Sequence, residues 1–178
     1  MAQIILVTGG SRSGKSRYAQ SLAESSGSRC TFVATCPDID EETRQRIRRH
    51  QEHRDPSCWQ TVEEPLDLVG ALAGAPNQTL LIDCLTLWVN NLIYRTEDKS
   101  APLTEEQMEI EASAVLVAAK KRTGTVIMVT NEVGQGVVPA SPLGRQFRDL
   151  AGRCNQVMAA GADTVTLLCC GYPLTVKG

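Results

Sequence analysis

The chain has 178 residues and a formal net charge of −2, from 18 basic and 20 acidic side chains. That length suits one domain and excludes two catalytic domains side by side, and the slight acidity argues against a general nucleic-acid binder, which carries a basic stripe. Apolar residues at 42% and charged residues at 21% are the balance of a globular chain, not a disordered one, and aromatics at 4% leave the core to Val, Leu, Ile and Ala.

The elements follow in chain order. Gln3 to Val7 is a continuous apolar run, which predicts a buried parallel strand. From Lys15 to Ser25 the apolar residues Tyr18, Ala19, Leu22 and Ala23 share one helical face. Cys30 to Ala34 is a second short apolar run. Residues 40 to 54 are almost wholly polar, with Ile47 the lone large apolar group, so a helix there would have little core contact. Residues 74 to 77, Gly-Ala-Pro-Asn, read as one turn. Thr79 to Ile82 is a third buried run ending at Asp83, and Leu85 to Tyr94 reads as helix.

Thr96 to Pro102 reads as a polar loop, and Thr104 with Gln107 fits a capping box ahead of a helix carrying Met108, Ala112, Val115, Leu116 and Ala119. Thr125 to Val129 is a fourth strand. Leu143, Phe147, Leu150, Ala151, Cys154, Val157 and Met158 form a long helical stripe, followed by a strand over Thr164 to Leu168. Tyr172 to Val176 reads as a short antiparallel edge strand. Strands alternating with helices predict an α/β fold, a mainly parallel sheet with helices on both faces, in a single domain over residues 1 to 178.

The seven cysteines are odd in number and show no Cys-x-x-Cys spacing, and only two histidines accompany them. That predicts reduced, mostly buried thiols in a cytoplasmic protein, with neither a disulfide framework nor a zinc site. No apolar run approaches the ~20 residues of a membrane helix, and the amino terminus has no signal-peptide profile.

The strongest local signal is Gly9-Gly10-Ser11-Arg12-Ser13-Gly14-Lys15-Ser16, which fits G-x-x-x-x-G-K-[ST], the P-loop. Glycines let consecutive amide N–H groups face a phosphate, and the following helix adds its positive end. Lys15 can reach β- and γ-phosphates and Ser16 can ligate magnesium. The motif follows an apolar strand and opens a helix, the setting that separates it from a chance match. Arg12 is either a phosphate clamp or a surface ion-pair partner. Asp83, at the carboxyl end of a core strand, either holds magnesium with Ser16 or caps the helix that follows. A switch GTPase, an ATPase and a small-molecule kinase share this loop, and the missing Asn-Lys-x-Asp motif weighs against the first.

Longer segments carry a resemblance. IILVTGGSRSGKSRYAQ, RIRRH followed by Trp59, the run to Asp83 with CLTLWVNNL behind it, VTNEVGQGVVP, FRDLAGRCNQVMAAGAD and the closing GYPLTVKG occur in order from end to end. Together they resemble the bifunctional adenosylcobinamide kinase / adenosylcobinamide-phosphate guanylyltransferases, P-loop proteins with a RecA-like sheet. The resemblance implies that adenosylcobinamide is phosphorylated with ATP or GTP, and that GMP from GTP then joins that phosphate through a GMP–histidine intermediate. It places the nucleophile at His50, within Arg46-Ile47-Arg48-Arg49-His50. Asp55 departs from the pattern, standing between Arg54 and Pro56 where relatives often have Arg-Pro adjacent. A lone histidine in a charged helix otherwise reads as a solvated surface residue, although a neutral imidazole has the chemistry for nucleophilic attack.

The same resemblance implies nucleotide contacts from Ala34, Thr35 and Cys36, from Gln51, Glu52, His53 and Arg54, and from Glu63. Without it Thr35 reads equally as a turn residue and Glu63 as a solvated loop acid. Asn131 to Gly134, after the fourth strand, is implied as substrate-side or magnesium-side machinery. GTP and ATP as substrates, magnesium, adenosylcobinamide and its phosphate as acceptors, and a homotrimer follow from the resemblance alone. Two other readings stay open: a P-loop kinase of another small alcohol, and a nucleotide-dependent binding module without group transfer.

Overall fold

The structure is a computed structural model, and it describes residues 1–37, 55–97 and 102–178. A seven-stranded sheet runs in the order β3-β2-β4-β5-β1-β6-β7. Its strands are β1 (Gln3–Gly9), β2 (Cys30–Ala34), β3 (Trp59–Glu63), β4 (Thr79–Asp83), β5 (Thr125–Val129), β6 (Thr164–Cys169) and β7 (Tyr172–Lys177). All pairings are parallel except β6 with β7. The helices are α1 (Lys15–Glu24), α2 (Leu68–Gly74), α3 (Leu85–Glu97), α4 (Glu105–Lys121) and α5 (Pro142–Gly161).

Strand side chains alternate faces, and both faces of the central strands are apolar. Ile4, Leu6, Leu80, Ile82, Val126 and Met128 point into one cluster with the apolar stripes of α2, α3, α4 and α5. Ile5, Val7, Leu81, Ile127 and Val129 point into the opposite cluster with Ala19 and Ala23 of α1. The expected α/β fold with helices on both faces is what forms. Among the described residues the helices divide unevenly: α1 lies on the second cluster, which α3 reaches only through Leu87.

Two elements are absent from the sequence reading. β3 is an edge strand in which only Trp59 is buried, so its sequence shows no apolar run. α2 is seven residues long with two glycines, and only Leu68 and Leu72, one turn apart, are buried; Asp67 caps it, accepting from the Gly70 N–H. α3 also runs on to Glu97, so the loop expected from Thr96 begins later than the sequence suggests. The capping box at Thr104 and Gln107 forms in full. The possible helix over 40 to 54 lies outside the described residues.

Cys30, Cys84 and Cys154 are buried, Cys36 is half-buried, and Cys58, Cys169 and Cys170 are exposed; none is bridged. Burial pushes Cys154 up to about 12. Its thiol therefore stays neutral in the folded chain at pH values where an unfolded thiol ionises. The unfolded state then binds fewer protons, so this contribution to stability is intact below the ordinary thiol pKa of ~8.5 and is lost as pH rises above it. Urea midpoints measured from about pH 7 to 10 are expected to fall with pH more steeply in the wild type than in Cys154→Ala.

Candidate active site

The carboxyl ends of the parallel strands make one edge. The register places Val7 opposite Val129, Val129 opposite Asp83, Asp83 opposite Ala34 and Ala34 opposite Glu63, a single row across five strands. From β1 the chain crosses to β2 on one side, and from β5 it crosses β1 to reach β6 on the other. Ligands of open α/β sheets bind at the carboxyl end of such a switch point. The P-loop begins there.

The loop's backbone is set by its glycines. Gly9 has φ +148, and a Cβ on it would lie 2.5 Å from the Leu168 carbonyl oxygen and 2.9 Å from Ser13 Oγ. Gly14, at φ +94, is the N-cap of α1, and no side chain caps that helix or places an acid in its first turn. α4, by contrast, begins with its capping box and with Glu105 and Glu106. The amide donors at the start of α1 thus face outward uncompensated, the arrangement that binds phosphate. Ser13 Oγ is buried and has no hydrogen-bond partner among the described residues, a polar atom suited to a phosphate oxygen.

Gly9→Ala is expected to cost about 1–3 kcal/mol, since a backbone carbonyl must move and φ is unsuited to an L side chain. Gly10 is the control. A Cβ there meets nothing within 4 Å, so urea unfolding of Gly10→Ala should give the wild-type stability within about 0.5 kcal/mol.

Lys15 is 7% exposed, and its Nζ donates to the Gly10 carbonyl at 2.5 Å. Burial lowers its pKa, while the neighbouring Cys84 and Asp83 oppose that shift. Lys15 and Asp83 therefore feel each other's charge, although β5 lies between β4 and the β1 strand that leads into the loop. Ser16 and Asp83 are both half-buried on this edge. Magnesium keeps several waters and takes only one or two protein oxygens beside the phosphates. A hydroxyl and a carboxylate fit that requirement, and no cluster of three or more His, Cys, Asp or Glu exists among the described residues. Gly10, Ser11 and Arg12 are exposed at the loop's tip, with Arg12 at φ +56.

Other expected site residues divide. Thr35 is fully buried; its Oγ1 donates to the Cys84 carbonyl at 2.8 Å and accepts from the Cys84 N–H at 2.8 Å. Its carbonyl accepts from Asn91 Nδ2. The Thr35 hydroxyl joins the ends of β2 and β4 through the Cys84 backbone. Ala34 buries its methyl and gives its carbonyl to the Glu64 N–H. Cys36 is half-buried and Glu63 exposed at the end of β3. At ~4.8 Å per strand, Glu63 stands roughly 19 Å from β1, too far to touch phosphates held by the loop. His50, Gln51, Glu52, His53 and Arg54 lie outside the described residues. Cys84 is core, with burial pushing its thiol up to about 11.

The 131–134 stretch packs on the P-loop. The Glu132 N–H donates to the Gly9 carbonyl at 3.0 Å, and the Glu132 carboxylate accepts from the Gly134 N–H. A polar network missed in the sequence fixes this junction. Asn131 N–H donates to Thr86 Oγ1, Thr130 Oγ1 donates to Asn155 Oδ1, and Asn155 Nδ2 donates to the Asn131 carbonyl. The clue was Asn155 on the inner side of an otherwise apolar stripe. A cavity of about 750 Å³ between α2 and α4, near Leu72, Ala118 and Arg122, touches none of these residues.

The sequence pattern of the cobinamide kinase / cobinamide phosphate guanyltransferase family matches residues 5–176. The chain belongs to this family. It is similar to the bifunctional adenosylcobalamin biosynthesis protein CobU of Escherichia coli K12, at 39% identity, covering 98% of this chain and 99% of that protein. The bifunctional adenosylcobalamin biosynthesis protein CobP of Pseudomonas aeruginosa is 38% identical, with 97% and 96% covered. Membership makes the chain a bifunctional kinase and guanylyltransferase. Among solved structures the RadB recombinase aligns with a TM-score of 0.52 at 16% identity, over 93% of this chain and 73% of that one, a likeness of RecA-type fold.

Proposed function

We propose that one phosphate cradle serves two successive reactions on adenosylcobinamide, within a single cytoplasmic domain. In the first, the aminopropanol hydroxyl of adenosylcobinamide attacks the γ-phosphate of ATP or GTP. Lys15 and the loop amides neutralise the charge that develops on the transferred group. In the second, an imidazole nitrogen of His50 attacks the α-phosphorus of GTP and pyrophosphate leaves. The adenosylcobinamide phosphate then attacks the same phosphorus, displacing His50 and forming adenosylcobinamide-GDP. Magnesium, when bound, supplies charge neutralisation between phosphate oxygens, and Ser16 with Asp83 would hold it.

Arg12 acts as a further clamp on phosphate or pyrophosphate oxygens. Cys36, the Gln51, Glu52, His53 and Arg54 stretch, and Glu63 serve the base and ribose end of the nucleotide. The chain works as a homotrimer. What carries this reading is the position of the phosphate cradle and Asp83 on one strand edge in a chain matched by the family from residue 5 to 176.

The test is a product assay with purified protein, adenosylcobinamide, magnesium and either nucleotide. The expected result is adenosylcobinamide phosphate with ATP alone and adenosylcobinamide-GDP once GTP is present. Nucleotide turnover that leaves adenosylcobinamide unmodified while phosphorylating another alcohol would favour a different small-molecule kinase.

A further inference from the structure

The turn joining β6 to β7 carries two adjacent exposed thiols, Cys169 and Cys170. Cys169 pairs with Tyr172 across the turn, and the two residues between them, Cys170 and Gly171, have φ of +51 and +87. Two positive φ values in a two-residue loop are a type I′ signature, a turn that prefers Asn-Gly or Asp-Gly. A cysteine in the left-handed region costs about 1 kcal/mol relative to the preferred residues, and an exposed side chain returns no burial in exchange. Turn geometry therefore does not explain this residue.

The same turn leans on the phosphate loop. The Gly171 N–H donates to the Ser13 carbonyl at 2.9 Å. A Cβ on Gly14 would lie 3.4 Å from Gly171 Cα, and one on Gly9 would strike the Leu168 carbonyl just before the turn. The two sulfurs lie 4.0 Å apart, with Cys169 donating to Cys170. That contact, first among the causes, raises the Cys169 pKa.

We propose that Cys169 and Cys170 form a dithiol site for monosubstituted trivalent arsenicals, coupled to nucleotide binding through the Gly171–Ser13 contact. Two sulfurs on one pyramidal As(III) centre stand closer than the 4.0 Å present, a difference that a small side-chain rotation at these exposed cysteines closes. A direct disulfide is less suited, because successive Cα atoms are ~3.8 Å apart and bridges ordinarily need 4.4 Å or more. In the reaction both thiols form S–As bonds, the oxygen of R–As=O leaves as water with the two thiol protons, and no oxidation state changes. The ring so formed locks both side chains of a turn whose next amide holds the P-loop. Nucleotide and arsenical therefore oppose each other, and the opposition is reciprocal. This site rests on the P-loop alone, so its failure would leave the cobinamide reading untouched.

The test uses the full chain and phenylarsine oxide. Intact mass is expected to show one phenylarsenic adduct per chain that survives excess 2-mercaptoethanol and is released by 2,3-dimercaptopropanol. Single thiols such as Cys58 hold the reagent only until the monothiol is added. Cys169→Ser and Cys170→Asn, the latter a residue the turn accepts, should lose the resistant adduct and bind GTP as the wild type does. The adduct should weaken GTP binding by about tenfold in the wild type, and bound GTP should weaken the adduct equally. A monothiol-resistant adduct in either variant, or unchanged GTP affinity in the modified wild type, overturns the proposal.

Discussion

Lys15→Ala is expected to lose both group transfers, each by about three orders of magnitude, without loss of stability. Lys15 is 7% exposed and its pKa is lowered by burial, so at neutral pH the folded chain carries a charge that it disfavours relative to the unfolded chain. Removing it lifts that penalty, and the urea midpoint at pH 7 should equal the wild-type value or exceed it. The two results together separate chemistry from folding. Loss of one activity alone would mean that the two reactions use different phosphate sites. Loss of both with a lowered midpoint would mean that Lys15 is mainly structural.

His50→Ala is expected to divide the activities. Formation of adenosylcobinamide-GDP should fall by about three orders of magnitude or more, because the imidazole is proposed as the nucleophile itself. Phosphorylation of adenosylcobinamide should continue, since the γ-phosphate is proposed to be held by Lys15 and the loop rather than by His50. Supplying adenosylcobinamide phosphate directly should fail to rescue the variant, whereas it should bypass the loss of a kinase-only residue. Equal loss of both activities in a folded His50→Ala chain would falsify this division.

The sheet was legible because its central strands are buried on both faces and read as unbroken apolar runs. β3 and α2 escaped because an edge strand with one buried tryptophan and a seven-residue helix with two glycines carry almost no periodic signal. At the site, the P-loop was legible because its chemistry demands particular residue types at fixed spacing. The bonds of Thr35 to the Cys84 backbone have no sequence signal, because only the adjacency of β2 and β4 creates that pairing. The Thr86, Thr130 and Asn155 network was hidden for the same reason, its members being 25 or more residues apart. His50, which lies outside the described residues, is proposed from resemblance and not from composition, since one histidine among charges has no local signature.

The central claim is that His50 carries GMP between GTP and the acceptor. It is tested most directly by incubating the protein with magnesium and GTP labelled at the α-phosphate, denaturing it, and following the label on the protein. The account predicts a covalent label that is labile in acid and stable in alkali, as a phosphorus–nitrogen bond to histidine requires, discharged by adenosylcobinamide phosphate and absent from His50→Ala. A label that persists in His50→Ala, or label-free protein that still makes adenosylcobinamide-GDP at the wild-type rate, would contradict it.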